Sequence, residues 1–83
     1  MRASQTVFFL VKSEPSPIKE LADFILRFPG LQEVWATEGA YSFIARFQAP
    51  EGAIPLLASQ LSKHKAILQL ETINAPLLFI PRR

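Results

Sequence analysis

Five consecutive residues carry the chemistry best suited to holding a small ligand: Glu38, Gly39, Ala40, Tyr41 and Ser42. They bring a carboxylate, two hydroxyls and a glycine together between two apolar runs. Backbone amides in such a turn, with the Tyr41 and Ser42 hydroxyls, suit contacts to a small polar molecule. A plainer reading explains the same residues. Glycine supplies the positive φ of a tight turn, and Tyr41 becomes a core aromatic with its hydroxyl at the rim. At the level of sequence both readings stand.

Bond-breaking chemistry has no comparable set. His64 is the single histidine, with no second histidine to share a metal and no adjacent carboxylate to orient it. It falls between Lys63 and Lys65 at a helix end, where positive charge is favoured by the helix dipole. Glu33, Glu38 and Glu71 are scattered, and of these Glu38 adjoins the turn. Acid–base catalysis needs two groups converging on one pocket. There is no cysteine, which excludes disulfides, thiolate nucleophiles and zinc–thiolate centres. Neither a phosphate-cradling glycine loop nor a Ser-His-Asp spacing occurs. No catalytic residue, metal or cofactor is therefore expected, and the chain is read as a non-enzyme. Trp35 reads as a core or interface residue rather than a cofactor contact.

These residues need a scaffold, and 83 residues supply one domain, 1–83, for ligand binding and oligomerisation. Nine Lys and Arg against seven Asp and Glu give a net charge of +2. The basic residues are scattered along the chain, whereas nucleic-acid binding gathers them on one face. No direct nucleic-acid partner is expected. The apolar run Val7-Phe8-Phe9-Leu10-Val11 is far short of the ~20 residues that span a bilayer. No secretory signal opens the chain, so no membrane partner and a cytoplasmic location are expected. Hydrophobic residues make up 49%. That is more than a small two-layer core hides, which points to a partner chain.

The pattern of apolar residues lays out the elements. Residues 6–11 are β-branched and aromatic on both faces, as in a strand covered on both sides. Ser16-Pro17 opens a helix whose apolar face holds Ile18, Leu21, Ile25 and Phe28. Phe28-Pro29-Gly30 stops it. Residues 31–38 and 41–48 read as a hairpin, with Tyr41, Phe43, Ala45 and Phe47 on one face. A turn at 49–52 leads to a second helix over 53–63, striped by Ile54, Leu57, Ala58 and Leu61. Pro55 is tolerated in its first turn. Residues 66–74 form a fourth strand. Leu77-Leu78-Phe79-Ile80, bracketed by Pro76 and Pro81, is too apolar for a free tail and suits an edge strand or an extension laid on another chain.

The order strand, helix, strand, strand, helix, strand is the ferredoxin-like βαββαβ pattern of the α+β class. Two helices cover one face of a four-stranded antiparallel sheet. The open face, carrying some of Phe8, Leu10, Val34 and Ile44, or else of Phe43 and Phe47, is expected to meet a second sheet in a dimeric α+β barrel.

With these residues in place, the chain resembles the effector-binding and oligomerisation (RAM) domain of the Lrp/AsnC transcription regulators. The resemblance rests on Val7-Phe8-Phe9-Leu10-Val11-Lys12, on Phe28-Pro29-Gly30-Leu31-Gln32-Glu33-Val34-Trp35 and on Gly39-Ala40-Tyr41-Ser42 leading into Ile44-Ala45-Arg46-Phe47. Gln69-Leu70-Glu71-Thr72-Ile73 fits the last strand. It covers roughly residues 6–74. The resemblance implies a homodimer, often built into rings of dimers, with small effectors such as amino acids held near the hairpin turn. It also implies a place in transcription regulation. The helix-turn-helix domain of full-length regulators is absent from these 83 residues, so the chain looks like a stand-alone version. Where the family pattern carries Asp after the hairpin glycine, this chain has Ser42, a hydroxyl in place of a carboxylate. The alternative from the enzyme class is a cofactor-independent dimeric α+β-barrel monooxygenase. That reading requires an internal apolar cavity with a polar group inside it, for which His64 and Trp35 are the candidates.

Overall fold

The run of β-branched and aromatic residues near the amino end forms β1 (Ser4–Ser13), longer at both ends than its apolar stretch. The computed structural model describes residues 4–15, 18–75 and 79–81. Helix α1 (Ile18–Leu26), β2 (Leu31–Ala36) and β3 (Phe43–Pro50) follow. A short 3-10 segment (Glu51–Ala53), α2 (Ile54–Ser62) and β4 (Ile67–Asn74) complete the order. The four strands make one sheet in the order β2-β3-β1-β4, antiparallel throughout. This is the βαββαβ, ferredoxin-like arrangement, with β1 and β3 at the centre and β2 and β4 at the edges.

The core lies between sheet and helices. Val7, Phe9 and Val11 of β1 and Phe43, Ala45 and Phe47 of β3 are fully buried, as their alternation requires. Leu21 and Ile25 of α1 and Ile54, Leu57 and Leu61 of α2 close over them. Phe9 and Phe47 meet edge to face at 5.4 Å, an arrangement that the ring quadrupoles favour. Ile18, in the first turn of α1, stays exposed although it shares the helical stripe. The helix start expected at Ser16-Pro17 lies outside the described residues. Pro55 does sit in the first turn of α2.

Three boundaries differ from the sequence pattern, each for a local reason. The hairpin strands stop at Ala36 and start at Phe43, and residues 37–42 form a loop closed by the Thr37–Ser42 backbone bond and tied to β1 through Ser42. Tyr41 consequently leaves the Phe43 face. The turn expected at 49–52 is partly strand: Ala49 pairs with Gln5 and Pro50 with Ser4 at the end of the ladder. Proline, lacking an N–H, is tolerated at such a terminus. Finally, Val34 is not on the open face. It pairs with Ala45 on the helix side, in the same register that pairs Ala36 with Phe43; the shift between Leu31 and Glu33 comes before it and sets Leu31 opposite Phe47. Trp35 takes the open face opposite Ile44. The bulge acts on Leu31, which it turns to the face of Phe47.

The open face thus carries two cross-sheet rows. Trp35, Ile44, Leu10 and Glu71 form one; Glu33, Arg46, Phe8 and Ile73 form the other. Of the apolar tail, 76–78 lie outside the described residues. Phe79 and Ile80 are not in a strand and are 85% and 73% exposed.

Candidate functional site

Six residues, 37–42, join β2 to β3 across the end of the central strands. The Thr37 N–H donates to the Ser42 carbonyl at 2.9 Å, and the Thr37 hydroxyl donates to the Tyr41 carbonyl at 2.8 Å. Ser42 ties this loop to β1 twice. Its N–H donates to the Val11 carbonyl at 2.7 Å, and its Oγ accepts from the Ser13 N–H at 3.1 Å. A serine fits here because its short side chain caps a β1 amide that β3 no longer reaches. Between these anchors, no hydrogen bond among the described residues engages the N–H groups of Glu38, Gly39, Ala40 and Tyr41. Gly39 has φ +116°, and no heavy atom lies within 4 Å of where its Cβ would stand. Glycine is thus needed for the backbone angle and not for space.

Tyr41 spans farther than its place in sequence suggests. Its hydroxyl donates to Glu71 Oε1 at 2.5 Å, crossing β1 to reach β4. The hydrogen bond to Glu71 holds the phenol above its ordinary value of 10.0, with desolvation and the Glu71 charge acting in the same direction. Glu71 had no sequence signal tying it to the turn; the register that sets it beside Leu10 brings it there. The tyrosine is half-buried and outside the helix-side core, unlike the core aromatic of the plainer reading. Glu38 and Ala40 are exposed. On the neighbouring row, Arg46 Nε donates to Glu33 Oε2 at 3.1 Å.

The structure therefore brings Gly39, Ala40, Tyr41 and Ser42 into one loop with the Glu38 carboxylate beside them, and adds Glu71. His64 lies elsewhere. Its ring packs on Phe24 at 4.7 Å, and its Nδ1 accepts from the Ala66 N–H at 3.1 Å. A histidine so engaged organises the α2–β4 turn. Trp35 lies 61% exposed on the open face. Neither residue lines either of two surface grooves. One, of 290 Å³, is lined by Pro29, Pro50, Leu56 and Leu57 together with Gln48 and Gln60. The other, of 430 Å³, lies among Gln5, Glu51, Ile54, Pro55 and Asn74. Among the described residues no three His, Asp or Glu side chains gather as a metal would require, and no helix is long and apolar enough to cross a membrane.

The fold is shared with two sets of solved structures. TTHA0845 from Thermus thermophilus superposes with a TM-score of 0.82 at 21% identity, covering 94% of this chain and 99% of that one. An AsnC family transcriptional regulator from Agrobacterium tumefaciens superposes at 0.81 with 15% identity, covering 96% of this chain and 55% of the regulator. The transcriptional regulator NMB0573 from Neisseria meningitidis, solved in complex with L-Met, gives 0.77 at 15% identity over 94% of this chain and 53% of that one. The chain thus has the fold of a domain found in AsnC-type regulators and spans about half the length of those regulators. No protein-family model and no curated protein sequence matches it.

Proposed function

We propose that this protein is a cytoplasmic sensing and assembly module related to transcription regulators, acting by binding and not by catalysis. The observation that carries the reading is the loop at 38–42. It offers consecutive backbone N–H groups without partners among the described residues, flanked by the Glu38 carboxylate and by the Ser42 hydroxyl, whose proton no described residue accepts. Such a set complements both ends of an amino acid. The amides receive its carboxylate, and Glu38 receives its ammonium, in place of the acidic residue expected where Ser42 stands. The shared fold with a regulator solved with L-Met supports an amino-acid effector.

Assembly rests on surface. The sheet leaves Phe8, Leu10, Trp35 and Ile44 on one uncovered side, in a body only 18 Å thick. A second copy stacked on that side buries these residues and makes the homodimer, with the loops at 38–42 placed for rings of dimers to enclose an effector. The module has no direct contact with nucleic acid, and it modulates a full-length regulator by mixing with it.

Isothermal titration of the twenty amino acids tests the sensing. Heat of binding is expected for at least one and is expected to vanish in Gly39→Ala and Glu38→Gln. Silence across the whole set would sink the amino-acid effector. Light scattering tests the assembly, and a monomer mass would overturn it.

A further inference from the structure

Two apolar features are absorbed neither by the core nor by the open sheet face. One is the 290 Å³ groove beneath α2, walled by Pro29, Pro50, Leu56 and Leu57. Leu56, on the outward side of α2, is 60% exposed there although its neighbour Leu57 is buried. The other is Phe79-Ile80, whose side chains stand almost wholly in solvent. We propose that the groove is a docking site for Phe79-Ile80 of a second copy of this chain.

Size, conformation and charge agree. A volume near 290 Å³ lies at the foot of the ~300–1,000 Å³ range of small-molecule pockets and suits one or two large side chains. Prolines at 76 and 81 bracket the segment. They restrict its backbone in the free chain, which lowers the entropy lost on docking. The groove's lining of Pro29, Pro50, Leu56 and Leu57 is apolar, as an apolar segment requires, and Gln48 and Gln60 also line it. The sequence continues as Arg82-Arg83, while Glu51 is exposed one residue beyond Pro50. No ion pair joins Glu51 to another described residue.

No described residue of the chain fills the groove. β4 ends at Asn74, at the edge of the sheet, and the groove lies on the β2–β3 side, with β1 between. Phe79 of the same chain remains 85% exposed. A second copy supplies the segment without that crossing. This contact is separate from sheet stacking and from the effector loop, since it shares no residue with either.

Photo-cross-linking separates the outcomes. A benzophenone amino acid replaces Phe79 in a mixture of unlabelled and heavy-isotope-labelled full-length chain. Mixed-isotope peptides joining position 79 to residues 48–60 are the expected product. Leu56→Asp, at an exposed position, is expected to cut their yield about tenfold, the loss of one anchor of ~1.4 kcal/mol. Glu51→Arg is expected to lower it and the double change Arg82→Glu/Arg83→Glu to restore it. Links confined to one isotope would show own-chain docking and overturn the proposal. So would links that miss the groove, or a yield unchanged by Leu56→Asp. Silent amino-acid titrations with these links intact would count against the effector reading alone.

Discussion

Tyr41 is the only tyrosine, so an ultraviolet titration reads this phenol without interference. Its hydroxyl bonds Glu71, and its titration midpoint is expected above 10.0. Glu71→Gln removes the charge and weakens the acceptor, so the midpoint is expected to fall toward the ordinary value. The sign for stability follows. Folding holds the Tyr41 proton more tightly than the unfolded chain does. The contact is therefore complete below pH 10.0 and lost as pH rises through the higher folded value. Stability that declined instead from neutral pH would point to another group. The two positive-φ glycines separate angle from space. At Gly30, φ is +87° and an added Cβ would stand 2.6 Å from the Gln48 carbonyl oxygen, whose own N–H bonds the Gly30 carbonyl at 2.8 Å. Gly30→Ala is expected to cost about 2–4 kcal/mol in urea unfolding, since the β3 backbone must give way. Gly39→Ala meets open space and is expected to cost only about 1 kcal/mol, from the angle alone.

Neighbours on one strand have opposite fates. Phe9 is fully buried between sheet and helices and meets Phe47 edge to face, whereas Leu10 beside it faces the uncovered side. Phe9→Ala is expected to remove about 3–5 kcal/mol at any protein concentration, because it opens a cavity in the chain's own core. Leu10→Ala is expected to lose stability that depends on concentration, as interface residues do. Equal, concentration-independent losses would contradict an open face that meets a partner. The Arg46–Glu33 bridge lies at the surface between β2 and β3. Arg46→Ala is expected to cost less than about 1 kcal/mol and to do so mainly at low salt. That strand pair is held by its ladder and by Phe47, not by the ion pair.

For the molecule as a whole, Trp35 is a reporter already in place. It is the single tryptophan and stands on the open face opposite Ile44. If two sheets stack there, its emission is expected to be blue-shifted and shielded from acrylamide at high concentration, and to shift red on dilution. Ile44→Lys introduces a like charge at the centre of that face and is expected to give the diluted spectrum at every concentration. A Trp35 fully open to quencher in the wild-type assembly would move the interface elsewhere.

How much of this was legible beforehand differs between its parts. Helices α1 and α2, the central strand and the alternation of β3 follow from apolar spacing alone, whereas the face that the helices cover stayed open between Phe8, Leu10 and Ile44 on one side and Phe43 and Phe47 on the other until the fold placed the latter inside. A helical or alternating stripe has to be buried whatever surrounds it, so local pattern decides it. The βαββαβ order and the glycine pivot at 39 follow in the same way, the second because its φ of +116° is one that L side chains rarely adopt. Long-range register was not legible. One extra residue near Gln32 set Leu31 opposite Phe47, and no local preference encodes a bulge. Register also set Glu71, thirty residues away, against Tyr41, and made Ser42 a tie to β1. The groove beneath α2 comes from three separate segments and exists only once they are packed together. Sequence by itself determined which side chains must be hidden and where the chain must turn. Tertiary structure alone decided which polar groups meet, because pairing across a sheet depends on distances that no neighbouring residues control.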